Sequence, residues 1–199
     1  MKYGKLSKKR QIEIISIDEC DIAYIDKSSE VVQLTVVREN GLAIKFIENP
    51  SEEVQLAAVR QHWYALHYIK QPSDVVNLAA VRKHGWAIQF ITNPSEVVQL
   101  AAVQTSGRAI MYITNPSEVV QLAAVRSHGH AIQYIKNPSE AVQLAAVQQN
   151  GYVVQYIEYP TEDVQLAAVQ SNPRAIKYIY NPSDELRAYA DLRKLGQSA

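Results

Sequence analysis

Asn115-Pro-Ser-Glu-Val-Val-Gln-Leu-Ala-Ala-Val-Arg-Ser-His-Gly-His-Ala-Ile-Gln-Tyr-Ile-Lys136 recurs along the whole chain with few changes. Prolines fall at Pro50, Pro72, Pro94, Pro116, Pro138, Pro160 and Pro182, each 22 residues after the last. Clear copies begin at Asn49, Gln71, Asn93, Asn115, Asn137 and Tyr159. Lys27 to Glu48 keeps the pattern but has Ser28 in the proline position. Lys5 to Asp26 is degraded, yet still ends Ile22-Ala23-Tyr24-Ile25. Self-similarity at a fixed short period is the mark of a solenoid or other repeat array.

Each unit predicts a helix, a turn and a short second helix. Asn49-Pro50-Ser51-Glu52 reads as a start signal. Asparagine can cap, proline suits the first helical position, and a glutamate three residues on closes a capping box. Proline also pushes the residue before it out of the α region, which ends the preceding helix. Gly41, Gly85, Gly107, Gly129 and Gly151 sit where a left-handed C-terminal cap is expected. Trp63 and Pro173 take that slot in two units, and proline cannot adopt positive φ. The first helix of that last unit is therefore expected to end differently. In the short helix, for example Trp86 to Ile91, the second, third, fifth and sixth residues are apolar, while the first and fourth point away. Helices this short are marginal alone. Stacked, they bury columns of alanine, leucine and isoleucine, and Leu100 and Leu122 are expected in that core. The fold class predicted is all-α. It is an α-solenoid of about eight to nine helix-turn-helix units in one domain, 1–199. A degenerate N-terminal cap (1–26), seven repeats (27–180) and a capping C-terminal helix (181–199) make it up.

The motif Asn-Pro-Ser-Glu-x-Val-Gln-Leu-Ala-Ala-Val at this spacing resembles a family of 22-residue tandem repeats known only as a domain of unknown function. Similar stretches belong to bacterial, phage and protist proteins. The resemblance runs from Lys27 to about Asp184. It implies no activity, substrate, cofactor or catalytic residue. For a stand-alone chain it admits a host or phage enzyme as partner, with this chain as inhibitor.

Composition narrows the function classes. The chain has 199 residues and is 47% hydrophobic, enough to build a core. Twenty cations balance twenty anions, which argues against a general nucleic-acid coat. Cys20 is the single cysteine, so no intramolecular disulfide forms, and a reducing compartment fits. No apolar run reaches the roughly 18 residues of a membrane span. Met1 to Arg10 is basic without an apolar stretch of signal-peptide type behind it, so a cytoplasmic location is expected.

No glycine-rich phosphate loop, nucleophile elbow, His-Glu-x-x-His or cysteine pair is present, and no metal or cofactor is expected. His62, His84 and His128 share one repeat column. Neighbouring repeats lie too far apart for these to share an ion, and a helix C-terminal position suits histidine through the dipole. The tyrosine column (Tyr68, Tyr112, Tyr134, Tyr156, Tyr178, with Phe46 and Phe90) has the look of a base-stacking ladder. Its place among alanine and isoleucine columns instead predicts core. The glutamine column, including Gln55, Gln121, Gln143 and Gln165, falls among apolar positions. It is expected to hydrogen-bond backbone between neighbouring repeats.

Function should lie where units differ and face outward. The first short-helix column runs Leu42, Tyr64, Trp86, Arg108, His130, Tyr152, Arg174, and the fourth runs Lys45, His67, Gln89, Met111, Gln133, Gln155, Lys177. Three residues apart, they share a face. Tyrosine, tryptophan and arginine are common interface anchors. A second stripe sets Val75, Val97, Val119 and Ala141 seven residues before Arg82, Gln104, Arg126 and Gln148, with Glu53 and Asp163 replacing the apolar member in outer units. These valines either form an interface strip or pack on the next repeat. The expected function is a non-catalytic binding scaffold or inhibitor for a protein partner. The alternative is a modular nucleic-acid reader of one base per repeat. Neither a membrane nor a small-molecule substrate is expected.

Overall fold

The computed structural model describes residues 28–196. The degenerate first unit, Cys20 and the basic N-terminal residues lie outside that range. Among the described residues the elements alternate between ten-residue α-helices and six-residue 3-10 helices. The α-helices are α1 (Glu30–Glu39), α2 (Glu52–Gln61), α3 (Asp74–Lys83), α4 (Glu96–Thr105), α5 (Glu118–Ser127), α6 (Glu140–Gln149), α7 (Glu162–Ser171) and the longer α8 (Asp184–Gly196). The 3-10 helices are η1 (Gly41–Phe46), η2 (Trp63–Tyr68), η3 (Gly85–Phe90), η4 (Gly107–Tyr112), η5 (Gly129–Tyr134), η6 (Gly151–Tyr156) and η7 (Pro173–Tyr178). The second helix of each unit is thus tighter than an α-helix.

The start signal works two residues later than its spacing suggests. Ser51, Ser73, Ser117, Ser139 and Thr161 are the N-caps, and each hydroxyl accepts from the backbone N–H three residues on. Proline precedes the cap, and Asn93, Asn115, Asn137 and Asn181 before it take φ of 46–51°. Asparagine tolerates this left-handed geometry, and the following proline forbids the right-handed one. Glutamate at the first helical position closes no capping box. It accepts instead from the cap hydroxyl of the next repeat: Ser51 to Glu30, Ser73 to Glu52, Ser139 to Glu118 at 2.5 Å and Thr161 to Glu140 at 2.5 Å.

Glycine does not act as a left-handed cap, for no described glycine has positive φ. The α-helices end on an extended residue, such as His128 at φ −148°, and glycine opens the 3-10 helix. Space is its reason for being there. A Cβ on Gly107 would lie 2.4 Å from the Ala124 carbonyl oxygen of the next repeat, and one on Gly151 would lie 2.3 Å from that of Ala168. Pro173 fits the same slot without changing the helix end, because it is the first residue of η7.

Glutamine bonds within its own repeat. Nε2 of Gln55, Gln121, Gln143 and Gln165 donates to the carbonyl of Pro50, Pro116, Pro138 and Pro160 at 2.9–3.0 Å. Between repeats the link comes from the last residue of the α-helix. Gln61 Oε1 accepts from Gly41 N–H at 2.9 Å while its Nε2 donates to the Glu39 carbonyl at 3.2 Å.

Contacts separate two compact units, Met1–Val98 and Gln99–Ala199. In the first, α2 packs on α1 and α3, and η2 on η1 and η3. In the second, α6 packs on α5 and α7, and each 3-10 helix on its neighbours in sequence. Among the described elements of each unit, packing joins the same or adjacent repeats, the pattern of an α-solenoid. The core of a repeat is Val54, Ala58, Val59, Ala65, Leu66 and Ile69, all buried. Burying each Val, Leu or Ile contributes roughly 1.5–3 kcal/mol, more than the ~1 kcal/mol of a cap. Packing therefore supplies stability, and the polar rungs set register. The leucine column is only half-buried at Leu100 and Leu122. It faces outward because α-helical spacing centres the buried stripe on the valine and alanine columns. On α8, Leu186 and Ala190 are buried, whereas Leu192 and Leu195 are exposed.

Candidate interaction surface

In a 3-10 helix, residues three apart eclipse. The first and fourth columns therefore share an edge, as expected, though unevenly covered. His67, Gln89, Met111 and Gln133 are exposed in the fourth, as are Trp86 and Arg108 in the first, while Tyr64, His130 and Tyr152 are half-buried. The aromatic column is not core, although each ring follows a buried alanine or valine by three residues. Gly85, Ala87 and Ile88 take the inner positions of η3. Tyr68, Tyr112, Tyr134, Tyr156 and Tyr178 are left 36–43% exposed.

Aromatic side chains converge in Met1–Val98. Tyr64 meets Phe90 edge-on at 5.1 Å, and His67 lies 4.9 Å from the same ring. Trp63, filling the glycine slot, stacks on His84 at 4.5 Å and 16°. The sequence reading split these residues among separate columns and missed that η2 and η3 bring them together. In Gln99–Ala199 the rings meet in pairs across adjacent repeats, His130 with Tyr156 at 6.0 Å and Tyr152 with Tyr178 at 5.9 Å.

His62, His84 and His128 stand at the C-caps of the long helices as expected, and His62 and His128 have a further role. His62 Nδ1 accepts from Tyr64 N–H at 3.2 Å, as Asn150 Oδ1 does from Tyr152 N–H at 3.1 Å. His128 Nδ1 accepts from Gly107 N–H at 3.3 Å. These side chains serve the start of a 3-10 helix as acceptors. Among the described residues no group of three or more His, Cys, Asp or Glu could hold a metal ion.

The long-helix valines are not buried against a neighbouring repeat but stay largely exposed. Val75 and Val97 are 57% and 61% exposed, Val119 is 58% exposed, and Ala141 is exposed. Arg82, Arg126, Gln104 and Gln148 are exposed as well. The sequence reading left out half-buried Leu78 and Ala79, which share that face at i, i+3, i+4 and i+7 from Val75. Elsewhere, an open groove of about 790 Å³ between α7 and α8 is lined by Glu162, Asp163, Asp184, Glu185, Leu166 and Tyr189. No described helix is long and apolar enough to cross a membrane.

Fold and surface together define the class, an α-solenoid whose exposed side chains vary over a constant packed frame. Comparison with known proteins found no matching family model, no matching curated protein and no matching solved structure.

Proposed function

We propose that this chain is a non-catalytic scaffold that binds a protein partner along the outer edge of its 3-10 helices, in a cytoplasmic setting. The observation that carries the reading is the half-open aromatic group of Tyr64, His67, Tyr68 and Phe90, with Trp86 exposed on the same helix row. Partly covered aromatic rings in mutual contact are the side chains that dominate interface energetics, and such patches on a surface mark binding sites. Arg108, Met111, His130, Gln133 and Tyr152 continue the same columns in Gln99–Ala199. The exposed valines of the long helices offer a further apolar strip. Repeats that differ mainly in these outward columns suit selective grip on one surface.

Affinity purification from the native cell, with the wild-type chain and a Tyr64→Ala/His67→Ala/Trp86→Ala variant as baits, tests the reading. A protein retained by the wild type and lost by a folded variant is the expected result. Equal retention would refute the edge. Retained nucleic acid whose binding weakens steeply with salt would support the one-base-per-repeat reader instead.

A further inference from the structure

The long helices of Met1–Val98 turn out a second face that barely varies. Each puts a leucine at mid-length (Leu34, Leu56, Leu78) and an exposed arginine near its end (Arg38, Arg60, Arg82). Acidic residues open the same helices (Glu30, Glu52, Asp74), so carboxylates and guanidiniums line opposite sides of the leucine band. Glu52 and Arg60 are separated by about 12 Å at ~1.5 Å per residue. Between α1 and α2 the face dips into a groove of about 360 Å³ floored by Leu56 and Ala57. Within the chain Glu30 and Glu52 accept from the cap hydroxyls of Ser51 and Ser73, while the guanidiniums are barely used. Arg38 reaches Glu53 only at 3.9 Å with both side chains about two-thirds exposed, a pair worth little, and Arg60 and Arg82 enter no ion pair among the described residues.

We propose that this face pairs two copies of the chain. An acidic edge, an apolar band and a basic edge are complementary to themselves under a two-fold axis running along the stack. That rotation lays leucine band on leucine band and sets the acidic edge of each copy against the basic edge of the other, an isologous contact. The charges recur once per repeat. A second copy has the same period by construction, so every arginine meets a carboxylate without slippage. Nucleic acid suits the face poorly, because the carboxylate edge repels phosphate and the leucines offer it nothing. The pairing takes up the long-helix strip around Val75 and Arg82 but leaves the aromatic edge of the 3-10 helices free, and it does not depend on the function proposed for that edge.

Sedimentation equilibrium on the full chain at roughly 100 µM detects any pairing with Kd near 10 µM or tighter. The expected mass is twice that of the monomer. Arg60→Glu/Arg82→Glu turns two of the three arginines of the basic edge acidic, and Glu52→Lys/Asp74→Lys turns two of the three carboxylates of the acidic edge basic. Each variant alone should be monomeric, its self-association at least about tenfold weaker, and an equimolar mixture of the two should recover the dimer. Circular dichroism checks that both fold. If either variant fails to fold, Leu56→Glu on the same band replaces it and should also be monomeric. A monomeric wild type, or variants that associate unchanged, would overturn the proposal. Tyr64→Ala, on the other edge, should leave the dimer intact, and its loss there would place the contact elsewhere and refute the face.

Discussion

At the scale of single residues, the glycine slot shows how packing can explain what local conformation does not. Reading glycine as a left-handed cap was reasonable from its position after a helix. The actual cause is a neighbour's carbonyl, and it leaves a trace in the sequence. Gly41 and Gly129 donate N–H to Gln61 and Gln149 of the following repeat, and Gly151 donates to Ser171. Where the following repeat supplies a pure donor, glycine is missing. Lys83 follows Trp63 and reaches the Arg60 carbonyl, and Arg193 follows Pro173 and donates to the Gln170 carbonyl at 3.0 Å. Proline has no N–H to satisfy, so the pair Pro173 and Arg193 is consistent on both sides. Gly107→Ala should therefore destabilise the chain by roughly 1–3 kcal/mol in urea unfolding. Gly107→Asn should cost at least as much, whereas a left-handed cap would tolerate asparagine best.

Burial separates residues that look alike in the repeat. Ile132 is 1% exposed and Leu122 is half-buried, although both are constant apolar positions. Ile132→Ala should cost about 2–5 kcal/mol by denaturant unfolding, and Leu122→Ala clearly less. The sequence placed leucine inside because a large apolar side chain is usually core. A ten-residue helix buries one stripe only, and Val120, Ala124 and Val125 already fill it.

At the scale of elements, helix existence and order were legible, and helix type was not. The proline period marked the starts of α2 to α8 within two residues. Nothing in six residues distinguishes α from 3-10 geometry. Two turns at three residues each lay the sixth residue over the third, and the aromatic ring stays part-exposed where the alanine or valine at the third is buried. The ladder of cap hydroxyls was also hidden, because a capping box and an inter-repeat rung use the same Ser and Glu. A double-mutant cycle separates them. Ser139→Ala should cost about 0.5–2 kcal/mol as a lost cap, and Glu118→Gln should couple to it by roughly 0.5 kcal/mol or more. Additive effects would mean that the rung to Glu118 carries no energy.

At the scale of the whole molecule, a frame made of nearest-neighbour contacts predicts stability that depends on position along the chain. Interior repeats have two neighbours, and the last described helix has one. Leu186→Ala in α8 should therefore cost less than Ile132→Ala, although Leu186 is only 8% exposed. The candidate edge was legible as columns of variable residues, since variation over a constant frame is visible in one sequence with internal repeats. The aromatic group of η2 and η3 was not, because it forms between repeats and across columns.

The central claim is a division of labour within each repeat, between columns that hold the stack and columns left free for a partner. An alanine scan of one repeat, Asn115 to Lys136, followed by urea unfolding, tests it most directly. Val120, Val125, Ile132 and Ile135 should each lose more than about 1 kcal/mol, while Val119, Arg126, His130 and Gln133 should stay within about 0.5 kcal/mol of wild type. Losses at Val119, His130 or Gln133 as large as that at Ile132 would contradict the account.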